Sequence, residues 1–246
     1  MGRFFITGSS DGIGSLAAKR LVSQGHRVVL HARNTKRAQD AEAACAGSLA
    51  VLVADLNNLE EMKRLASRAD ELGPYDAVVH NAGVMTPADG SSIFAVNTLA
   101  PYVLAARMSK PGRLVFVSSN MHRSGRPRLD GTGHAGLKRS GYSDTKLHDV
   151  MLTKAFARRW KDVECNALDP GWVPTKMGGR SAPGDLEEAV DTVTMLALGK
   201  GAAEGKTGRY FAHCQEERSA DIADDVTLQD RLLDALAEIS GVSIPS

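Results

Sequence analysis

The sequence has little that would tie it to a membrane, to a nucleic acid or to an oxidising compartment. Only three cysteines occur among 246 residues, Cys45, Cys165 and Cys214, far apart and with no CxxC pair. That spacing argues against a disulfide framework and a zinc site, and leaves buried or free thiols of a reducing compartment. No metal is expected. Neither sign of charge dominates: 30 Lys and Arg against 29 Asp and Glu give a formal net charge of +1, so the footprint of a nucleic-acid or anionic-membrane partner is missing. No run approaches the ~20 apolar residues of a membrane span. The apolar start, Arg3-Phe-Phe-Ile6, is too short for a signal peptide. Met1-Gly2 lacks the Ser or Thr at position 6 that myristoylation requires, because Ile6 stands there. No composition break marks a linker. A cytoplasmic protein with one domain over residues 1–246 is expected, its 43% apolar content enough for a sizeable core.

What is present begins with glycine. Residues 3–7 read as a short buried strand that runs into Thr7-Gly-Ser-Ser-Asp-Gly-Ile-Gly14, and residues 15–24 read as a helix ending at Gly25. The G-x-x-x-G-x-G spacing is a variant of the dinucleotide fingerprint. Its glycines let the backbone approach a ligand closely, and the helix N-terminus offers N–H groups and a positive dipole end to a pyrophosphate. A second strand, 26–32, ends in Ala32-Arg33-Asn34, with Lys36 and Arg37 close behind. A site for NAD usually places an acid here, on the ribose 2′-hydroxyl. A guanidinium binds a 2′-phosphate instead, so NADP is expected over NAD; the bland alternative is a solvated basic start to the second helix.

Strands then alternate with helices to the end. Strands are expected at 48–53, 76–80, 113–119, 163–168 and 208–212. Helices are expected at 59–72, with Leu59, Met62, Leu65, Ala66 and Ala69 on one stripe, and at 92–108, 142–160, 186–198 and 225–239. This is the pattern of an α/β single-domain fold, a Rossmann-type doubly wound parallel sheet of about seven strands with helices on both faces. Two irregular stretches stand out. Residues 177–185, rich in Gly, Ser and Pro, read as a lid. Residues 120–141 form a connection long enough to be functional or mobile. It holds Arg123, Arg126, Arg128, Lys138 and Arg139 against the single acid Asp130; it either steers an anionic group toward the site or is a solvated loop. His122, just past the fifth strand, is a candidate substrate contact or an ordinary loop residue.

Tyr142-Ser-Asp-Thr-Lys146 places a phenol and an ammonium on one helix face, one turn apart. An unperturbed phenol titrates near ~10 and is a poor proton acceptor at neutral pH. A fixed cation beside it favours the phenolate, which makes the pair a candidate acid–base device for an alcohol or carbonyl oxygen.

Taken together, Thr7-Gly-x-x-x-Gly-Ile-Gly14, Asp55-Leu56, Asn81-Ala-Gly83, Asn97, Arg113-x-x-x-Val-Ser-Ser119, Tyr142-x-x-x-Lys146 and Pro170-Gly171 resemble the short-chain dehydrogenase/reductase family over nearly the whole chain. The texture of His-Ala-Arg-Asn34 and Pro-Gly-Trp-Val173 is similar to its retinol-dehydrogenase-like and protochlorophyllide-reductase-like branch. The resemblance implies strand order 3-2-1-4-5-6-7 and assigns Tyr142 as the acid–base residue. Lys146 would lower its pKa and bind the nicotinamide ribose, and Ser119, rather than Ser118, would hydrogen-bond the substrate oxygen. Asn97 would hold a water that links Lys146 to solvent. It implies cofactor contacts from Gly8, Ser10, Asp11, Gly12, Ile13 and Gly14, from Arg33, Asp55 and Leu56, and from Asn81, Ala82 and Gly83. Pro170, Gly171, Val173 and Thr175 would complete them, with Tyr142 and Lys146 shared. A homodimer or homotetramer through the helices carrying Asn97 and Tyr142 is also implied.

The chain departs from the family at His80, where Asn is usual, in a short interval between Gly83 and the Asn97 helix, and in a long one between Ser119 and Tyr142. The function expected is hydride transfer between NADP(H) and a small-molecule carbonyl or alcohol. Reduction of an activated C=C bond, or a nucleotide-binding scaffold without activity, are the alternatives.

Overall fold

A computed structural model of the chain describes residues 1–86, 92–130 and 134–245. Strands β1 (Arg3–Ile6), β2 (Arg27–Ala32), β3 (Ala50–Val53), β4 (Ala77–His80), β5 (Arg113–Val117), β6 (Glu164–Asp169), β7 (Arg209–Ala212) and β8 (Gln215–Glu217) form one sheet in the order β3-β2-β1-β4-β5-β6-β7-β8. All pairs are parallel except the last. The order implied by the resemblance is therefore present, with an eighth strand at its edge. Buried on both faces, the inner strands read as apolar runs. Phe5 faces one core, while Phe4 and Ile6 face the other, as the two-residue period of a strand requires.

On one face lie α1 (Gly12–Ser23), α2 (Thr35–Ala44) and α7 (Leu186–Leu198); on the other lie α3 (Leu59–Asp70), α4 (Ala100–Arg107), α5 (Ala135–Lys138), α6 (Tyr142–Arg159) and α8 (Val226–Ser240). Their ends have local causes. Asn58 caps α3 by accepting from the Glu60 and Glu61 N–H groups, and those two acids sit where the helix dipole favours them. Asp185 and Asp225 cap α7 and α8 in the same way.

Three expectations need correction. The helix expected over 92–108 contains a π turn, Ala95–Leu99, ahead of α4. The loop of 120–141 is not wholly irregular: a 3₁₀ turn, Asn120–Ser124, opens it and α5 lies near its end. The β8 strand was not expected because its three residues are all exposed and polar, and because the turn before it uses His213 and Cys214 with φ of 50° and 57°. Both central residues at positive φ suit a tight hairpin turn, whose usual sequence signal is Asn-Gly or Asp-Gly. Part of the interval between Gly83 and the Asn97 helix lies outside the described residues.

The helices expected to pair between subunits are covered by the chain itself. Helix α8 packs on α6 with Leu232 and Leu236 fully buried. Lys154 of α6 binds Asp224 at 2.6 Å, and Arg158 and Arg159 both bind Asp230. Past α8, the Tyr102 hydroxyl donates to the Val242 carbonyl at 2.8 Å and the Trp160 indole donates to the Pro245 carbonyl at 3.2 Å. Every residue of Ala100–Ala106 in α4 is buried. Light scattering of the purified chain tests the homodimer or homotetramer expected from the resemblance; a dimer that survives a charge-reversing change on α4 or α6 would show a different interface.

Candidate active site

The C-terminal ends of β1, β2, β4, β5 and β6 open onto one cleft of about 390 Å3, the place where an open parallel sheet gathers ligand groups. Its floor is the Gly-rich turn. Gly8 has φ of +63°, and a Cβ there would sit 2.7 Å from Ala82 Cα, so only glycine fits. A Cβ on Gly14 would meet the Asn81 amide at 2.4 Å; this glycine lets α1 close on the strand ends. Asn81 braces the turn by donating from Nδ2 to the Thr7 and Gly8 carbonyls at 2.9 and 3.0 Å. The Thr7 hydroxyl accepts from the Asn81 and Ala82 N–H groups.

His31 holds the turn from the other side. Its Nδ1 accepts from Gly8 N at 3.0 Å and its Nε2 donates to the Ala54 carbonyl at 3.0 Å. That pairing specifies the neutral ring, and burial lowers its pKa to about 4. His31 opens the His-Ala-Arg-Asn34 stretch, but no motif gives it a role; the signal available was a histidine inside an otherwise apolar buried strand.

Around this floor the expected cofactor residues converge. Gly8, Ser10, Asp11, Gly12, Ile13, Arg33, Asp55, Leu56, Asn81, Ala82, Gly83, Tyr142, Lys146, Pro170 and Thr175 all line the cleft. Gly14, Gly171 and Val173 do not: Gly14 is a packing residue, Gly171 makes the turn after β6, donating to Asp169 at 2.9 Å, and Val173 is buried. Arg37 joins Arg33 on the wall. Arg37 also donates to Asp11 at 2.6 Å, and Lys176, next to the segment expected to be a lid, reaches the same carboxylate at 2.9 Å. Burial pushes the Asp11 carboxyl up, but Lys176 and Arg37 together hold it below its usual value.

The chemical end is built on α6. Lys146 is buried, and its Nζ donates to the Val117 carbonyl at 2.6 Å and to Asp149 Oδ2 at 2.9 Å. It lies 5.6 Å from the centroid of the Tyr142 ring. Burial disfavours the ammonium, but Asp149, Tyr142 and Asp169 outweigh it and raise the Lys146 pKa. A side chain on Gly83 would fill the space that Asn97 Oδ1 and Lys146 Nζ both face, at 3.6 and 3.8 Å from its Cβ. The Asn97 side chain is committed to framework: it accepts from Val84 N at 2.8 Å and donates to the Val84 carbonyl and to Thr145 Oγ1.

The two serines separate. Ser118 is buried and donates to the Lys146 carbonyl at 2.8 Å. Ser119 is half-buried and accepts from Met121 N at 3.2 Å as the cap of the following turn. His122 turns away from the cleft, donating to the Ser119 carbonyl at 2.7 Å and accepting from Ala220 N. The basic loop spends cations internally, with Arg128 on Asp144 at 2.8 Å and Arg123 on the Arg218 carbonyl at 2.6 Å.

A sequence profile described as short chain dehydrogenase matches residues 3–185. The chain belongs to that family and is an oxidoreductase. It is 46% identical over 257 residues to an uncharacterized oxidoreductase of Emericella nidulans, covering 100% of this chain and 99% of that protein. It is 28% identical to human retinol dehydrogenase 14, covering 93% of this chain and 83% of that one, a likeness to the retinol-dehydrogenase-like branch. Among solved structures, a Mycobacterium paratuberculosis protein shares the fold at a TM-score of 0.80 and 23% identity, over 100% of this chain and 96% of that one. A short-chain dehydrogenase from Shigella flexneri complexed with NADP superposes with a TM-score of 0.65 and 24% identity, covering 86% and 96%.

One departure from the family has an energetic consequence. His80 is buried against Phe116, with ring centroids 4.8 Å apart, and neither ring nitrogen has a hydrogen-bond partner among the described residues. Burial depresses its pKa to about 3, and that of His148 to about 4. Both folded values lie below that of the unfolded chain, near ~6.5. As pH falls below that value the unfolded chain takes up protons first, so stability present above it is lost toward pH 3–4. Urea unfolding between pH 7 and pH 4 is expected to show this fall, and His80→Asn to lose about 3 kcal/mol less than the wild type over that range.

Proposed function

We propose that the chain transfers hydride between NADP(H) and a partly apolar carbonyl or alcohol, with Tyr142 as the residue that gives or takes the proton. The observation that carries this is the buried Lys146 ammonium beside the Tyr142 ring, at the mouth of a cleft whose opposite end is a Gly-rich turn. The cleft fits a dinucleotide: Gly8 and Gly12 leave a cradle that a Cβ would strain or fill, and the α1 N-terminus faces it. Bound there, a nicotinamide cofactor supplies the hydride chemistry itself. The protein's share is to position the carbonyl, hydrogen-bond its oxygen and move one proton.

Of the two serines, Ser118 is the one that lines the cleft, but Ser119 is the one with a hydroxyl hydrogen left for the oxygen. The Ser118 hydroxyl hydrogen is spent on the Lys146 carbonyl, whereas Ser119 accepts from Met121 and keeps its own to donate. NADP is favoured over NAD because β2 ends in Ala32-Arg33 with no acid for the ribose, and because Arg33 and Arg37 both line that end of the cleft. An apolar substrate is favoured by Met85, Met121, Trp172 and Met177. These are large and exposed, and they stand in the segments after β4, β5 and β6 that surround the opening.

Two measurements test this. On a carbonyl screen with NADPH, Tyr142→Phe is expected to lower kcat by about 10²–10⁴-fold; equal turnover by mutant and wild type would end the mechanism. In cofactor-fluorescence titrations NADPH should bind more tightly than NADH. Arg33→Ala should weaken NADPH by roughly ten- to a hundredfold with NADH unaltered; a loss shared equally by both cofactors would refute the 2′-phosphate role.

A further inference from the structure

Asp149 has no part in the scheme above, although it stands in the middle of it. It is three residues after Lys146 on the same helix face. Both side chains are almost completely buried, at 5% exposure for Lys146 and 3% for Asp149. Among the described residues, the hydrogen bond of the Asp149 carboxylate goes to Lys146 alone. A buried carboxylate without a partner is costly, as is a buried ammonium, so the two form a unit. An ammonium has three N–H groups. Two are spent, one on the Val117 carbonyl and one on Asp149. The third is left for the cleft side, where Gly83 keeps the space open.

We infer that Asp149 is a positioning residue for the reaction: as the counter-ion of Lys146 it fixes the direction of the ammonium and cancels part of the positive field acting on the Tyr142 oxygen. The inference rests on Tyr142 as the acid–base residue. A lone cation acts on a neighbour as a monopole. A cation with an anion at 2.9 Å acts as a dipole, whose field falls off faster. The same ammonium therefore favours the phenolate less with Asp149 ionised than without it.

Other charged groups near this pair come from several elements. Asp169, at the end of β6, faces Lys146 while accepting from Gly171 N. On the 3₁₀ turn after β5, His122 lies beyond Asp169. On α6 itself, Asp144 is turned to Arg126, Arg128 and Gly141, and His148 to Thr98 and Pro127. Lys154, Arg158 and Arg159 pair with Asp224 and Asp230 of the C-terminal region. None of these groups hydrogen-bonds Asp149, and Asp169 and Tyr142 still face the ammonium when it is replaced. Burial also raises the Asp149 carboxyl above its usual range, against the pull of Lys146.

The test is a phenolate absorbance titration of the full chain, which needs no substrate. Of the four tyrosines, burial pushes Tyr102 up to about 12, and Tyr75 and Tyr210 higher still; the first transition to be followed is identified as the one that Tyr142→Phe removes. Asp149→Asn keeps an acceptor for Lys146 and removes the charge. It is expected to move that first transition down by about one pH unit, and to move the acid limb of kcat/KM for oxidation of 1-phenylethanol with NADP by the same amount. A transition that stays at the wild-type pH, or moves up, overturns the inference, whatever happens to thermal stability. Asp149→Ser repeats the measurement if the amide variant does not fold. Because the titration does not depend on turnover, its failure is separate from that of the functional reading, which Tyr142→Phe tests in the carbonyl screen.

Discussion

A protonated amine buried at the end of a parallel sheet is the constraint to which the rest of this site answers. Lys146 lies out of water, so each of its N–H groups needs an acceptor and its charge needs a counter-charge. The acceptors come from different elements: the Val117 carbonyl from the tip of β5 and the Asp149 carboxylate from the next turn of α6. Further hydrogen bonds radiate from the same point. Ser118 binds the Lys146 carbonyl, Thr145 binds Asn97, and Asn97 holds both backbone groups of Val84. Strand β5, helix α6, the π turn and the segment after β4 are thereby fixed to one another where the chemistry is set. A π turn fits this place because its widened backbone brings Asn97 to bear on both Val84 and α6.

The cofactor half follows a different logic. It uses neutral buried groups to hold the backbone of a turn, so that N–H groups and open space remain for an anionic ligand. Thr7, Asn81 and His31 supply those bonds from β1, β4 and β2. Charge enters only at the rim, where Arg33, Arg37, Asp11 and Lys176 meet. These pairs are partly exposed at the rim, where ion pairs are worth little in stability, so they are free to exchange partners with an anionic ligand. The two ends of the cleft thus differ in kind: a rigid, dry charge pair beside Tyr142 and a wet, exchangeable one beside the Gly-rich turn.

Much of this was legible from the residues. The Gly-rich turn, the Tyr142 and Lys146 pair, the strand alternation and the basic end of β2 all have short-range signals: fixed spacing or a two- or 3.6-residue period. What was hidden depends on contacts distant in sequence. Nothing local shows that α8 covers α6, since its apolar stripe names a buried face but not its partner. The β8 hairpin escaped because His213-Cys214 adopt positive φ without glycine. Asp149 escaped because a carboxylate inside an amphipathic helix usually marks the solvated face; only the fold shows that α6 is buried on nearly every side. The choice of Ser119 over Ser118 came from the resemblance alone, because both lie past the end of β5 and no local period separates them.

His80 separates two pH dependences that an activity assay would otherwise merge. It lies in the sheet at the end of β4, stacked on Phe116, and its titration is driven by burial alone. With His31 and His148 it makes the folded state resist protons that the unfolded chain accepts, so acid weakens the whole domain. Lys146, Asp149 and Tyr142 respond to pH by a different route, through charges that face one another across one turn of α6. Loss of stability below about pH 6 belongs to the buried imidazoles. Changes on the alkaline side, where those rings are neutral in both folded and unfolded chains, belong to the catalytic helix. The substitution at position 80 therefore acts on the pH range in which the fold survives, and leaves the groups that move the proton untouched.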